Sequence, residues 1–502
     1  MNSSFDEKAE LPSGIPIPFE APALPVFETF SGADFALAEP TAPLPDTPRP
    51  KAAPYAQVSF LQRVGLGAGG ICDVGMQYAI MAMVYPIFNI ALGVNPVVIG
   101  IAMALPRFWE MLIDPWIGGL SDRTRGRLGR RHPYIRAGGV IGGIIFASIW
   151  WVPQSWPVSA KGIWLIGFAL LHFTAFSFFM VPYSALLGEV TSDSVERTKV
   201  MAMRTAFTAI CSSGYAWLYW LCQRPWFGNP VKGMRIVGIG FGLFMALASL
   251  LPTLVCKKSR GFHSSDATVP KRENEWLIVK ELLKESDFRA VLFAVLGLLG
   301  SFTLVSNLGF YINVYFMYHG DTASASKLQG ISGAIGCPLG IATCALVGTV
   351  VKKLGEWNTL LVCMSVAFLG QIGVWWSARP EWPYATILTG IFVGLGITAF
   401  WIFIPSLTGR ISNLYELRTG KSYYGSFFAI YNVTMKIAGS ISLLLTGVVL
   451  NLTGFNVAHG RFQPPATILA MRILYAGIPS LGLLVALAFL RKAWPKAEPS
   501  PL

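Results

Sequence analysis

Two carboxylates, Glu110 and Asp114, stand four residues apart inside an apolar run covering residues 95–120. That spacing sets both side chains on one face of a helix. An acidic residue near the centre of a membrane helix costs roughly 2.5–3.5 kcal/mol even on a lenient insertion scale, so a pair implies something that binds to it. Arg107, three residues before Glu110, shares the face and leaves the cluster with a net single negative charge. Hard oxygen ligands suit Na⁺, and a desolvated carboxylate suits H⁺. The residues therefore read as a cation site facing a polar interior. The same residues also allow a buried Arg107–Glu110 ion pair with Asp114 at the water interface.

Composition explains why that run must lie in lipid. The 502 residues are 53% hydrophobic and only 13% charged, with a mean hydropathy of +0.54, against about 25% charged residues in a soluble domain. Runs long enough to span a bilayer, about 20 residues each, recur along nearly the whole chain. Twelve are counted, over residues 58–92, 95–120, 134–155, 160–188, 200–222, 234–256, 287–318, 324–351, 358–377, 382–408, 422–452 and 464–492. No strand alternation competes, so the expected fold class is an all-α membrane protein.

The formal charge of +13 is unevenly spread. With the N-terminus inside, the inner loops collect Arg123, Arg125, Arg127, Arg130, Arg131, Lys352, Lys353, Arg410 and Arg418, whereas the outer loops hold few basic residues. The positive-inside rule then puts both termini in the cytoplasm, in an inner or plasma membrane. This bias accounts for the high pI without a nucleic-acid partner.

Residues 1–56, rich in Pro, Ala, Ser and acidic residues, are expected to be a disordered cytoplasmic tail, and no cleavable signal peptide is read there. A charged segment over 257–286, ending in the amphipathic stretch Trp276–Lys284, divides an N-terminal six-helix bundle, 57–256, from a C-terminal one, 287–492, with a short cytoplasmic tail at 493–502. The halves echo one another. Gly126-Arg-Leu-Gly129 before the third run resembles Lys353-Leu-Gly355 before the ninth, and Glu196-Arg-Thr-Lys before the fifth resembles Glu416-Leu-Arg-Thr-Gly-Lys421 before the eleventh. Repeated halves around a membrane-normal axis are the organisation of a rocking transporter with substrate held between them.

Seven scattered cysteines lack any C-x-x-C pair and read as apolar packers. Five dispersed histidines form no H-E-x-x-H or other nucleophile–base set, which excludes the membrane-enzyme reading. No G-x-x-x-x-G-K-[ST] loop is present, so ATP drive is not expected and no cofactor is called for.

The run Gly119-Leu-Ser-Asp122-Arg123-Thr-Arg-Gly126-Arg127-Leu-Gly-Arg130-Arg131 resembles the loop 2–3 signature of the major facilitator superfamily. The flanking Asp114-Pro-Trp-Ile-Gly118 and His132-Pro-Tyr134, with Val181-Pro-Tyr-Ser-Ala-Leu186 and Lys436 followed by Gly439-Ser440, narrow the resemblance to the glycoside–pentoside–hexuronide:cation symporter family. It covers about residues 57 to 492. The resemblance implies two pseudo-symmetric six-helix bundles and alternating access, with the substrate driven by a coupled Na⁺ or H⁺ gradient.

Residue by residue, Arg107, Glu110 and Asp114 match the family's second-span arginine and two acidic cation ligands. Ser177 falls where a hydroxyl cation ligand is common. Lys436 matches the span-eleven lysine that links cation and substrate sites, and a lone lysine in an apolar span independently needs acidic partners, Glu110 and Asp114 among them, or else snorkels to a headgroup. The resemblance gives Asp122, Arg123 and Arg127 a gating role, pairing with acids across the half-interface in the outward-facing state.

The sugar site transfers less completely. Met180 stands where melibiose permeases of this family carry an aspartate, Ser184 replaces a stacking tryptophan, and Asp73 lies one residue beyond the aligned acidic position in span one. This argues against an α-galactoside, while Asp73, Gln77, Tyr78, His172, Asn307, Tyr311 and Trp401 remain as polar and aromatic contacts for another sugar. The expected function is symport of a sugar, glycoside or uronide by a monomeric carrier in contact with membrane lipid. Alternatives are cation-coupled transport of an amphiphile such as a lysophospholipid, and a non-transporting membrane receptor.

Overall fold

The computed structural model describes residues 58–124, 128–190, 194–255, 275–421 and 423–497. The expected tail over 1–56, most of the linker and Arg127 lie outside the described residues. Among the described residues the secondary structure is entirely helical, and every one of the twelve apolar runs falls on a helix. Nine of these described helices are long and apolar enough to cross a membrane.

In chain order the long helices are α1 (Phe60–Ala91), α2 (Pro96–Arg123), α3 (His132–Ile149), α4 (Val158–Glu189), α5 (Ser194–Tyr215), α6 (Pro230–Val255) and α7 (Ser286–Met317). The run Thr322–Ser377 breaks at Gly355 (φ 76°, ψ 169°), a conformation open to glycine and costly for other residues. We number its two parts α8 (322–354) and α9 (356–377). They are followed by α10 (Ala385–Thr419), α11 (Tyr424–Leu452) and α12 (Pro465–Ala497). The amphipathic stretch forms a short linker helix, Glu275–Leu282. Of the helices outside the nine, α3 carries Arg136 within its 18 residues, and Glu196, Arg197, Lys199 and Arg204 fall on α5.

Local sequence fixes the ends that matter. The Ser59 side chain and Gln62 form a reciprocal capping box at the start of α1. Asn95 caps α2, accepting from Val97 N at 2.8 Å, with Pro96 in the first turn. Pro106 and Pro115 lie inside α2 and bracket Arg107, Glu110 and Asp114. Each removes a backbone donor and frees a carbonyl one turn earlier, which a membrane helix tolerates where neighbouring groups compensate.

Packing follows the halves. Helix α1 lies against α5 and α6, α4 against α2 and α3, and α3 against α6. In the second half α7 lies against α11 and α12, and the 322–377 pair against α10. The halves meet where α2 packs on α11 and α5 on α8.

We call the end of the molecule carrying Arg123, Arg130, Lys352 and Arg418 the basic end. At the opposite end the apolar core of the first half runs on into Tyr311, Tyr315, Leu450 and Phe455 of the second. A separate core, including Phe288, Phe403, Phe427 and Trp494, belongs to the second half together with Leu282 of the linker helix.

A further repeat appears in the packing. Arg235, in Met234-Arg-Ile-Val, donates to Val152 O at 2.8 Å and lies 5.5 Å from the Trp151 ring. Arg472, in Met471-Arg-Ile-Leu, donates to Trp375 O at 2.9 Å and lies 4.5 Å from that ring. The two arginines cap the ends of α3 and α9 alike.

Candidate functional site

The charged cluster of α2 is held from three helices. Arg107 Nη1 and Glu110 Oε2 are 3.0 Å apart, both residues are buried, and the guanidinium lies 4.5 Å from the Phe173 ring of α4. The second carboxylate has a different partner. Lys436 Nζ of α11 donates to Asp114 Oδ2 at 2.5 Å, across the boundary between halves. Both expectations for these residues are thus represented. The Arg107–Glu110 pair exists, while Asp114 faces a lysine in place of bulk water. Lys436 is turned inward to that carboxylate, so it does not snorkel to a headgroup.

The direction of Lys436 has a simple cause. Side chains on a helix lean toward its N-terminus, and α11 begins at the basic end, so the lysine is tilted down toward Asp114.

These pairs leave valences open. Glu110 Oε1, Asp114 Oδ1 and Ser177 Oγ are buried and have no hydrogen-bond partner among the described residues. Buried polar atoms are nearly always satisfied. Oxygens of this kind, from two carboxylates and a hydroxyl on packed helices α2 and α4, are the ligand types that a hard cation takes, and a carboxylate is one that takes a proton. Behind them Trp109 Nε1 donates to Thr174 Oγ1 at 3.0 Å, tying α2 to α4 on the other face.

The residues named for substrate are dispersed over the first half and α10. Asp73 Oδ2 is 2.6 Å from Arg204 Nη2 of α5, and that guanidinium lies 5.9 Å from the Tyr183 ring. Sequence reasoning missed Arg204, although a basic residue inside the 200–222 run carried the signal that singled out Lys436. Tyr78, Ser184 and Trp401 are exposed, and Gln77 and Met180 are half-buried, with Met180 packed against the first core.

Two other residues named as contacts have structural partners. His172 is fully buried with Nε2 2.8 Å from Met76 O, meeting a carbonyl of the π-helical turn Gly75–Ala79. Tyr311 donates to Asn89 Oδ1 at 2.6 Å, joining the π-helical end of α1 to α7 at the residue just before its π-helical turn.

At the basic end Asp122 pairs with Arg131 at 2.5 Å, and Glu189 with Arg130 at 3.0 Å and Arg131 at 2.8 Å. These bonds tie α2, α3 and α4 within the first half. Arg123 is exposed. In the second half Arg410 pairs with Glu356, and Arg418 with Glu285 at 3.0 Å. The cross-half pairing implied for the gating residues belongs to the outward-facing state. In this structure none of the pairs named at the basic end crosses between the halves.

Two helix sets meeting along α2–α11 and α5–α8, with opposite charges bonded across the seam at mid-helix, define a membrane transporter of the major facilitator fold. A bacterial homologue of the human lysosomal transporter Spinster, solved inward-facing and unoccupied, superposes with a TM-score of 0.63 at 14% identity, covering 88% of this chain and 98% of its own. A D-xylose–proton symporter gives 0.56 at 14% identity over 88% and 98%. The family model described as MFS/sugar transport protein matches residues 65–492. The chain belongs to that family and is a glycoside–pentoside–hexuronide:cation symporter, not an enzyme.

Similar proteins include the glucuronide carrier protein homolog of Escherichia coli, 22% identical over 86% of this chain and 91% of the relative. The isoprimeverose transporter of Lactiplantibacillus pentosus is 23% identical over 82% and 84%. The lactose permease of Lactobacillus delbrueckii is 23% identical over 77% and 61%.

Proposed function

We propose that the protein couples entry of Na⁺ or H⁺ to uptake of a sugar, glycoside or uronide, with the cation held by Glu110, Asp114 and Ser177. The observation that carries this reading is the set of buried oxygens without partners, Glu110 Oε1, Asp114 Oδ1 and Ser177 Oγ, beside two cations already bonded to the other carboxylate oxygens. The names of the relatives, which include glucuronide, isoprimeverose and lactose carriers, support the substrate class.

Charge counting supplies the mechanism. With Arg107 on Glu110 and Lys436 on Asp114 the cluster is neutral. An added cation makes it positive, and a buried excess charge is costly. Lys436 must therefore move off Asp114 as the cation arrives. It is about one-third exposed, so the freed ammonium turns to the central cavity, where sugar oxygens or a uronide carboxylate accept from it. Cation and substrate then stabilise each other through one side chain, and that coupling is reciprocal.

Asp73 and Arg204, bonded to each other between α1 and α5, offer further polar groups to the substrate. The basic end is the cytoplasmic one by the positive-inside rule, and both termini lie on that side, in an inner or plasma membrane. The two six-helix bundles, 57–256 and 287–492, rock about α2–α11 and α5–α8, and Asp122, Arg123 and Arg127 act in closing the cytoplasmic side.

The test is uptake by proteoliposomes of a panel of labelled sugars, glycosides and uronides under imposed Na⁺ or pH gradients. At least one panel member accumulates uphill with one of the two gradients if the reading holds. Binding without flux under either gradient supports a receptor instead.

A further inference from the structure

We propose that Trp109 and Thr174 are positioning residues that fix the spacing of α2 and α4, and so set the size of the cation that Glu110, Asp114 and Ser177 can share. The inference rests on the cation-site reading above and adds what makes that site selective for Na⁺ over a larger ion. It starts from a hydrogen bond outside the site, from Trp109 Nε1 of α2 to Thr174 Oγ1 of α4 at 3.0 Å.

A cation held by these residues takes its ligands from two helices. Glu110 and Asp114 ride on α2, and Ser177 rides on α4. A site that fits one ionic radius therefore needs the two backbones at one separation, because selectivity between cations follows cavity size and the rigidity of the ligands. Trp109 is the residue next to Glu110, and Thr174 lies three residues before Ser177. The bond thus joins the helices at the level of the ligands.

Three features make this bond a firm strut. The Thr174 hydroxyl gives its own proton to Leu170 O at 2.7 Å, so it meets the indole only as an acceptor. Trp109 is 43% exposed, beside a groove of about 580 Å³ lined by Ile163, Trp164, Phe168 and Leu171. On a membrane-spanning segment that surface faces lipid, where no water competes for the indole N–H. Finally, α2 needs a brace. Pro106 and Pro115 lie on either side of Trp109, and each removes a backbone hydrogen bond from the helix that carries the two carboxylates. A second contact holds the same crossing, since Arg107 rests 4.5 Å from the ring of Phe173, the neighbour of Thr174.

The test is equilibrium binding of radiolabelled Na⁺ to the purified full-length protein, with K⁺ as competitor. Trp109→Phe removes the donor and keeps an aromatic ring. Thr174→Val removes the acceptor and keeps the shape, whereas Thr174→Ser keeps the hydroxyl. Na⁺ affinity should fall roughly threefold to tenfold in Trp109→Phe and in Thr174→Val, the range of interhelical hydrogen bonds in membranes. K⁺ affinity should not fall, so the preference for Na⁺ over K⁺ shrinks by the same factor. A lower folded fraction changes the number of sites and not this ratio. Thr174→Ser should bind as the wild type does. The double variant Trp109→Phe/Thr174→Val should be no weaker than either single one, because both remove the same bond.

An unchanged Na⁺ to K⁺ ratio in the two single variants overturns the strut, as does a double variant whose loss is the sum of the single losses. A wild type that takes up protons and binds no Na⁺ also overturns it, while leaving the carboxylates as the coupling site. Full Na⁺ binding by Glu110→Gln/Asp114→Asn would instead overturn the cation-site reading, and the proposal with it.

Discussion

Two acid–base pairs one turn apart on α2 have opposite settings. Arg107–Glu110 is local to the helix, buried, and packed under Phe173. Lys436–Asp114 joins helices from different halves and is partly exposed. A buried local pair keeps its partner in every state of the carrier, since both groups ride on the same helix. A pair across the seam holds only while α2 and α11 keep their distance and while nothing else claims the carboxylate. For the proposed cation site this contrast divides the roles, Glu110 retaining the cation and Asp114 reporting its arrival to Lys436 and so to the substrate.

The largest effects should follow from removing one charge of each pair. Asp114→Asn should abolish uphill accumulation, reducing it by a hundredfold or more, because Lys436 loses its anionic partner whether or not a cation is present. Glu110→Gln should also abolish accumulation, and it leaves Arg107 as an unpaired buried charge, a loss of about 3–5 kcal/mol when one member of a buried pair is removed. Glu110→Gln should therefore lower thermal stability in detergent and Asp114→Asn should not. Equal stability loss in the two variants would erase the distinction between the pairs.

The next effect sharpens the reporting role. Lys436→Met keeps the length of the side chain and removes its charge. Substrate affinity should weaken by about tenfold, the size of a typical 1–3 kcal/mol coupling, and should no longer change with cation concentration. A titration of substrate binding at several Na⁺ concentrations and pH values reads this directly. Persistent cation dependence would assign the coupling to another group.

A smaller effect is expected at Ser177. Ser177→Ala removes a neutral ligand, and one hydrogen-bonding contact is worth roughly 0.5–1.5 kcal/mol, so cation affinity should fall about threefold to tenfold with substrate affinity at saturating cation unchanged.

The smallest concerns the opposite end, where the seam is held by uncharged contacts such as Tyr311 to Asn89 and Gln223 to Thr322. Tyr311→Phe should shift the balance toward the form open at that end by about 1 kcal/mol. Labelling of Ser326→Cys, a buried residue bonded to Gln223 in the same seam, should quicken accordingly.

Much of this was legible in the sequence for one reason. A charge in an apolar run has few places to go, so Glu110, Asp114, Arg107 and Lys436 announced themselves and their approximate partners. Hydropathy likewise marked the nine described helices that are long and apolar enough to cross a membrane. What stayed hidden depended on register between distant segments. Arg204 lies on a helix whose first two turns already hold Glu196, Arg197 and Lys199, so its position opposite Asp73 was masked by neighbours that belong to the basic end. The π-helical turns of α1 and α7 leave no periodic signature, and with them His172 and Tyr311 passed for cavity residues. The repeat Met234-Arg-Ile-Val and Met471-Arg-Ile-Leu was readable, but its purpose at the ends of α3 and α9 needed the fold.

The central claim is that Glu110 and Asp114 together hold the coupling cation, and cation binding to the purified protein tests it without any knowledge of the substrate. Saturable Na⁺ binding, or proton uptake on acidification, is measured for the wild-type protein and for the Glu110→Gln/Asp114→Asn double variant, each normalised to folded protein. The account predicts saturable binding of one of the two ions in the wild type and its disappearance in the double variant. Equal binding by both proteins would contradict it and leave α2 with two structural ion pairs.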